Sequence, residues 1–217
     1  MEIIKTEKGY LTILTGKTDM GKSTITVYDC SENLKIGKKV MFFSYEYCQS
    51  IIYQKIISHF KIGWSQLFNL NIVDASGMGI DALIGAVRTK KGNVDAIYID
   101  YLDLLKNCSY PQSQNEGEEL EQIQEIIKKL AALAVELGIP VILLSQTGSS
   151  TVFEKSVERL NAFTEKVEGN NTIKMFIGKV NIIDSRINYD DIVHLILIDG
   201  YDLRHFSSIN IKEIYGD

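Results

Sequence analysis

The stretch Ile13 to Thr26, ILTGKTDMGKSTIT, constrains this chain more than any other part of it. An apolar run leads into Gly16, a second glycine follows at Gly21, and Lys22-Ser23 then opens a segment of helical character. That order is the one a strand, a phosphate-cradling loop and a helix require. The two glycines let the backbone curl so that successive N–H groups converge on an anion, helped by the positive end of the helix that begins at Lys22. Lys22 is then expected to reach the β- and γ-phosphates of a nucleotide, and the Ser23 hydroxyl to hold magnesium. Gly16, Lys17, Thr18, Asp19, Met20, Gly21, Lys22, Ser23 and Thr24 form the expected ATP-binding loop. The competing reading, a glycine-rich turn with a chance Lys-Ser, needs both the spacing and the flanks to be coincidental.

Apolar segments rich in β-branched and aromatic residues alternate with helical ones, the pattern of a mostly parallel sheet covered on both faces. Strands are expected at Tyr10 to Thr15, Lys39 to Ser44, Leu70 to Asp74, Asp95 to Asp100 and Pro140 to Ser145, with helices at Lys22 to Leu34, Gln49 to Phe60, Gly79 to Lys90 and Glu116 to Leu137. In the last helix Leu120, Ile123, Ile127, Leu130, Ala134 and Leu137 share a face, and Gly138 stops it. Beyond Gln146 a polar excursion over 147–172 is followed by strand-like pieces separated by turns, expected to extend the sheet with antiparallel strands. With 217 residues the chain is expected to be one domain, 1–217, its motif-bearing core at about 9–147 and a less regular part at 148–217. Only Met1 to Lys8 precede the first strand, so no separate N-terminal domain is expected.

A net charge of −5 at pH 7 argues against binding nucleic acid by bulk attraction, so any such site is expected to be local. Cys30, Cys48 and Cys108 have no paired spacing and are expected to be buried thiols in a reducing compartment. With no apolar leader and no membrane-length run, a cytoplasmic location without membrane contact is expected.

Three predicted strands end in residues suited to chemistry at the phosphate loop, on the edge where open α/β sheets bind ligands. Asp100, closing VDAIYID, is placed to hold magnesium. Glu46, just after KVMFFSY, is placed to orient an attacking water, and Gln146, in VILLSQ, to polarise the γ-phosphate. Each alone is equally a routine polar residue at a strand end, as Asp74 and Asp199 are expected to be. His59, His194 and His205 lack metal-ligand spacing, Tyr45 and Tyr47 flank Glu46, and Trp64 and Phe68 are expected to mark an apolar helix face.

Taken in order, GYLTILTGKTDMGKS, GKKVMFFSYEY, DAIYIDYLDLL and ELEQIQEIIKKLAALAVELGIPVILLSQ resemble the RecA-like motor domain of the DnaB-type replicative helicases, over residues 9 to 147. The resemblance implies an α/β RecA-like P-loop NTPase, with ATP and Mg2+ bound between the subunits of a homo-hexamer that moves along single-stranded DNA. It assigns Lys22 and Ser23 to the phosphate loop, Glu46 to the catalytic glutamate, Asp100 to the magnesium-side aspartate and Gln146 to the γ-phosphate-linked glutamine. Asp103 stands where the family usually has glutamine, and Asp19 where proline, serine or glycine is commoner. A cation reaching a neighbour's γ-phosphate falls to Lys179, Arg186 or Arg204. The loops expected to face DNA, 106–117 and 147–172, carry mixed charge. Two other readings stay open: a nucleotide-dependent accessory module that engages a helicase partner or DNA without unwinding, and a KaiC-like regulator that phosphorylates itself or a partner.

Overall fold

The structure, a computed structural model, describes residues 8–17 and 22–147 and, beyond them, the backbone of strands within 172–205. Its elements are β1 (Leu11–Lys17), α1 (Lys22–Lys35), β2 (Val40–Ser44), α2 (Gln49–Phe60), α3 (Trp64–Leu67), β3 (Leu70–Asp74), α4 (Ile80–Arg88), β4 (Ala96–Asp100), α5 (Leu102–Ser109), α6 (Glu116–Leu137) and β5 (Val141–Thr147). Five strand backbones follow: β6 (Thr172–Phe176), β7 (Val180–Ile183), β8 (Arg186–Tyr189), β9 (Ile196–Asp199) and β10 (Asp202–His205).

A six-stranded sheet runs β3-β2-β4-β5-β1-β6, and every adjacent pair in it is parallel. Its central strands are apolar without alternation because both faces are covered: every residue of β2 and of β4 is buried. Leu14, Phe42, Tyr98, Ile142 and Leu144 face a cluster with Ile25, Leu34, Ile52 and Ile56 of α1 and α2. Ile13, Met41, Phe43, Ile97, Ile99 and Leu143 face the other side, against Leu83 of α4, Leu105 of α5 and Ile126 and Leu130 of α6.

Parallel strands place all their carboxyl ends on one edge, and the register sets the level of each. Ser44 lies beside Asp100, and Gly16 beside Gln146. Because β5 separates β1 from β4, the strand ends that carry Gly16 and Asp100 flank it. Polar bonds run across the buried α1–β4 contact: the Tyr98 hydroxyl donates to Asp29 Oδ2 at 2.6 Å, and Asn33 Nδ2 donates to the Tyr98 hydroxyl at 2.7 Å.

Several expectations need correction. The C-terminal strands do not simply extend the sheet in antiparallel fashion: β6 joins β1 in parallel, and the antiparallel strands pair as β7–β8 and β9–β10. Cys30 is buried, but Cys48 and Cys108 are exposed, because they sit at the start of α2 and on the outer side of α5. Trp64 and Phe68 do not form a packed face, being 79% and 90% exposed. The helix between them has a single turn, and Leu67 alone of its residues is buried. The supposed loop from Lys106 begins inside α5, where the Lys106 ammonium bonds Glu119 Oε1 of α6 at 2.6 Å, which places it in a structural ion pair. Among the described residues, no helix is long and apolar enough to cross a membrane.

Candidate nucleotide site

Lys22 and Ser23 open α1 directly after the phosphate loop, and Lys22 is only 7% exposed. Gly16 and Lys17 are the last residues of β1, and Thr24 lies half-buried in the first turn of α1. Thr18, Asp19, Met20 and Gly21 lie outside the described residues, as does Lys179. Arg186 and Arg204 are placed only by the backbones of β8 and β10.

Asp100 ends β4 and is 2% exposed. Burial pushes its carboxyl up to about 6, against the hydrogen bond donated by the Ser23 hydroxyl; the Glu46 charge adds to the rise, and the Lys22 and Lys55 charges oppose it. Four groups from three separate chain segments therefore act on one carboxylate. Its Oδ2 is buried with no hydrogen-bond partner among the described residues. A carboxylate oxygen left without a donor, beside a serine hydroxyl at the start of a helix, is the donor set a hard, oxygen-seeking divalent cation takes, so the residues fit magnesium. The Asp100–Tyr101 peptide is cis.

Glu46 sits in a turn built by its neighbours. The Ser44 hydroxyl donates to the Tyr47 carbonyl at 2.7 Å and accepts the Tyr47 N–H at 3.1 Å, which closes the chain around residues 45–46. The Tyr45 N–H donates to the Asp100 carbonyl at 2.8 Å, tying this turn to the end of β4. The Tyr45 hydroxyl donates to the Met78 carbonyl at 2.9 Å, so its ring serves packing. The Lys55 ammonium lies 4.2 Å from the centroid of the Tyr47 ring, a cation–π contact that brings α2 against the turn. Glu46 itself is exposed.

Gln146 lies near the end of β5, half-buried, and its N–H reaches Asp103 Oδ2 at 3.4 Å. Burial raises the Asp103 carboxyl, and the Gln146 N–H opposes that rise. Asp103 thus faces β5, on the side of α5 nearest the site. Asp74, by contrast, bonds the Ser76 hydroxyl at 2.6 Å and N–H at 3.1 Å and only closes a turn after β3. Among the described residues, no group of three or more His, Cys, Asp and Glu is placed to hold a metal ion, and the side chains of His59, His194 and His205 lie outside them.

Two participants escape a reading of the sequence by motif. Ser44 is the last residue of a hydrophobic strand and looks like a routine terminator. Lys55 stands eight residues beyond Tyr47, in a helix whose helical period was legible but whose docking against Tyr47 was not.

A parallel sheet in this strand order, with a phosphate loop after its first strand, defines the RecA-like class of nucleotide-binding domain. Two solved structures share the fold. One is titled as an ATPase domain, with a TM-score of 0.64, 18% identity and coverage of 92% of this chain and 80% of that one. The other is titled as a DnaB-like replicative helicase and its interactions with primase, with a TM-score of 0.62, 19% identity and coverage of 92% and 54%. Residues 60–159 match the family described as DnaB-like helicase C terminal domain. A probable plasmid replicative DNA helicase of Chlamydia psittaci is 31% identical over 166 residues, which make up 64% of this chain and 35% of the relative. The replicative DNA helicase DnaB of Pasteurella multocida is 30% identical over 165 residues, 63% of this chain and 34% of the relative. These findings bear out the resemblance of the ordered motifs to a DnaB-type helicase C-terminal domain. The match spans about a third of the length of these relatives.

Proposed function

We propose that this domain binds ATP with magnesium and hydrolyses it, as the nucleotide-driven part of a helicase acting on single-stranded DNA in replication. The observation that carries the reading is the convergence of Ser23, Lys22 and Glu46 on the buried carboxylate of Asp100. Ser23 and Asp100 would hold the magnesium ion, which supplies neutralisation of phosphate charge. Lys22 would bind the β- and γ-phosphates, and the backbone of residues 16–21 would cradle them. Glu46 would orient a water for in-line attack on the γ-phosphorus, accepting its proton as the bond to the leaving oxygen breaks. Gln146, beside Gly16 in the sheet, stands where an amide could respond to the γ-phosphate.

A motor further requires a homo-hexamer in which a neighbour supplies Lys179, Arg186 or Arg204, and contact with single-stranded DNA. The relatives are named as replicative DNA helicases, which supports a helicase role. The accessory module remains the second reading, because Lys106, a basic residue assigned to a DNA-facing loop, is engaged with Glu119.

Steady-state hydrolysis by the chain with magnesium, with and without single-stranded DNA, tests the proposal against Lys22→Ala and Glu46→Gln. The expected result is turnover that rises with DNA and falls at least about a hundredfold in both variants, on the order of the loss seen when such groups are removed. Tight ATP binding with no turnover in any condition would sink the motor and leave the module.

A further inference from the structure

The buried polar cluster between α1 and β4 takes no part in the chemistry above, yet it joins the two elements that carry the magnesium-side groups. Asp29 is buried, as are Asn33 and Tyr98. Tyr98 Oη donates to Asp29 Oδ2 at 2.6 Å; Asn33 Nδ2 lies 2.7 Å from Tyr98 Oη, 3.3 Å from Asp29 Oδ2 and 3.1 Å from the Asp29 carbonyl. Each member thus engages both of the others, and the geometry fixes where each can sit. The Phe42 ring of β2 stacks on Tyr98, centroids 5.9 Å apart with 18° between the planes, which holds the phenol from the side.

The placement matters more than the bonds alone. In a strand, alternate residues share a face, so Tyr98 and Asp100 both point toward α1. On α1, Ser23 bonds Asp100, and Asp29, nearly two turns further along, bonds Tyr98. The helix and the strand run in opposite directions, so the same pair of elements is tied at two levels. The upper tie is the proposed metal pair; the lower is wholly buried and independent of any ligand.

We infer that Asp29, Tyr98 and Asn33 are positioning residues: their network locks the axial register of α1 against β4 and so sets the separation of the Ser23 hydroxyl and the Asp100 carboxylate that would hold magnesium. An apolar contact at this level could slide, since dispersion is non-directional, whereas short hydrogen bonds on a carboxylate fix both translation and rotation. The inference rests on the proposed nucleotide site and adds to it the residues that set its cation affinity.

The test is a magnesium titration of ATP binding by the full chain, followed with a fluorescent ATP analogue, in wild type, Tyr98→Phe and the pair Asp29→Leu with Tyr98→Phe. The pair replaces the network by apolar contact, which can preserve stability when both buried partners are changed together. Thermal melting is recorded alongside. The expected result is a magnesium half-saturation raised on the order of tenfold in both proteins, with analogue binding in EDTA changed little and with no correlation with melting temperature. An unchanged half-saturation in the folded pair overturns the inference and leaves the cluster a packing feature. Wild-type protein that binds no nucleotide at any magnesium concentration overturns the proposed site itself, and the lock's role with it.

Discussion

Asp100 is the residue on which the site turns, and its ionisation gives a prediction with a definite sign. Burial raises its carboxyl from 3.8 to about 6, so the folded chain holds this proton more tightly than the unfolded chain does. Stability contributed by the group is therefore greatest below about 4 and declines as pH climbs toward 6, levelling off above; keeping the ionised form folded costs on the order of 3 kcal/mol. Urea unfolding in EDTA should show Asp100→Asn to be more stable than wild type at pH 7.5, with its pH dependence between about 4 and 6 flattened. Equal stability at that pH, with the same slope, would mean that the carboxylate carries no burial penalty. Hydrolysis should be lost in the same variant, because the amide is a poor magnesium ligand. Stability and activity are then opposed at one side chain, as expected of a site whose charge awaits a cation.

At the scale of elements, the parallel sheet was readable because β2 and β4 are continuous apolar runs buried on both faces, which leaves no competing helical pattern in segments of five residues. Phe42 shows what those runs contribute: it is fully buried, and Phe42→Ala should destabilise by about 3–5 kcal/mol in urea unfolding, against less than about 1 kcal/mol for an exposed truncation. Helix α6 was equally legible, from its stripe of apolar residues to Gly138, whose φ of 64° takes up the left-handed cap. Its start is pinned by Asn115, whose Oδ1 accepts the Glu118 N–H at 3.0 Å. Asn115→Ala should cost about 1 kcal/mol, read as a lowered denaturation midpoint with unchanged slope. Helix α5 was hidden, since LDLLKNCS is two turns long and its polar residues read as loop; only contact with β5 and α6 reveals that Leu102 and Leu105 belong to the core. The exposure of Cys48 and Cys108 was hidden for the same reason, a thiol's burial being decided by the packing of its element and not by its type.

For the molecule as a whole, the motifs at strand ends were visible in the sequence, but their convergence was not. The Lys22-Ser23 pair, Glu46 and Asp100 are far apart along the chain and meet only because parallel strands deliver them to one edge. The Asp29–Tyr98–Asn33 cluster was invisible at that level, since its members look like ordinary helix and strand residues until α1 lies on β4. At the other end of the scale, Trp64, the chain's single tryptophan, stands 79% exposed on α3 beside the exposed Phe68. Acrylamide should quench its fluorescence nearly as fully as that of free tryptophan in a dilute monomer, and a marked fall in quenching as concentration rises would show that assembly covers this surface.

The proposed chemistry depends on one site being formed by the start of α1, the turn after β2 and the end of β4. A crystal structure of the chain with magnesium and a non-hydrolysable ATP analogue would show it directly. The β- and γ-phosphates are expected on Lys22 and the backbone of residues 16–21, about 2.7–3.0 Å from their donors, with the cation on Ser23 Oγ facing Asp100 and the Glu46 carboxylate turned toward the γ-phosphorus. Nucleotide bound elsewhere, or phosphates at the loop with the cation and Glu46 remote from them, would refute that site.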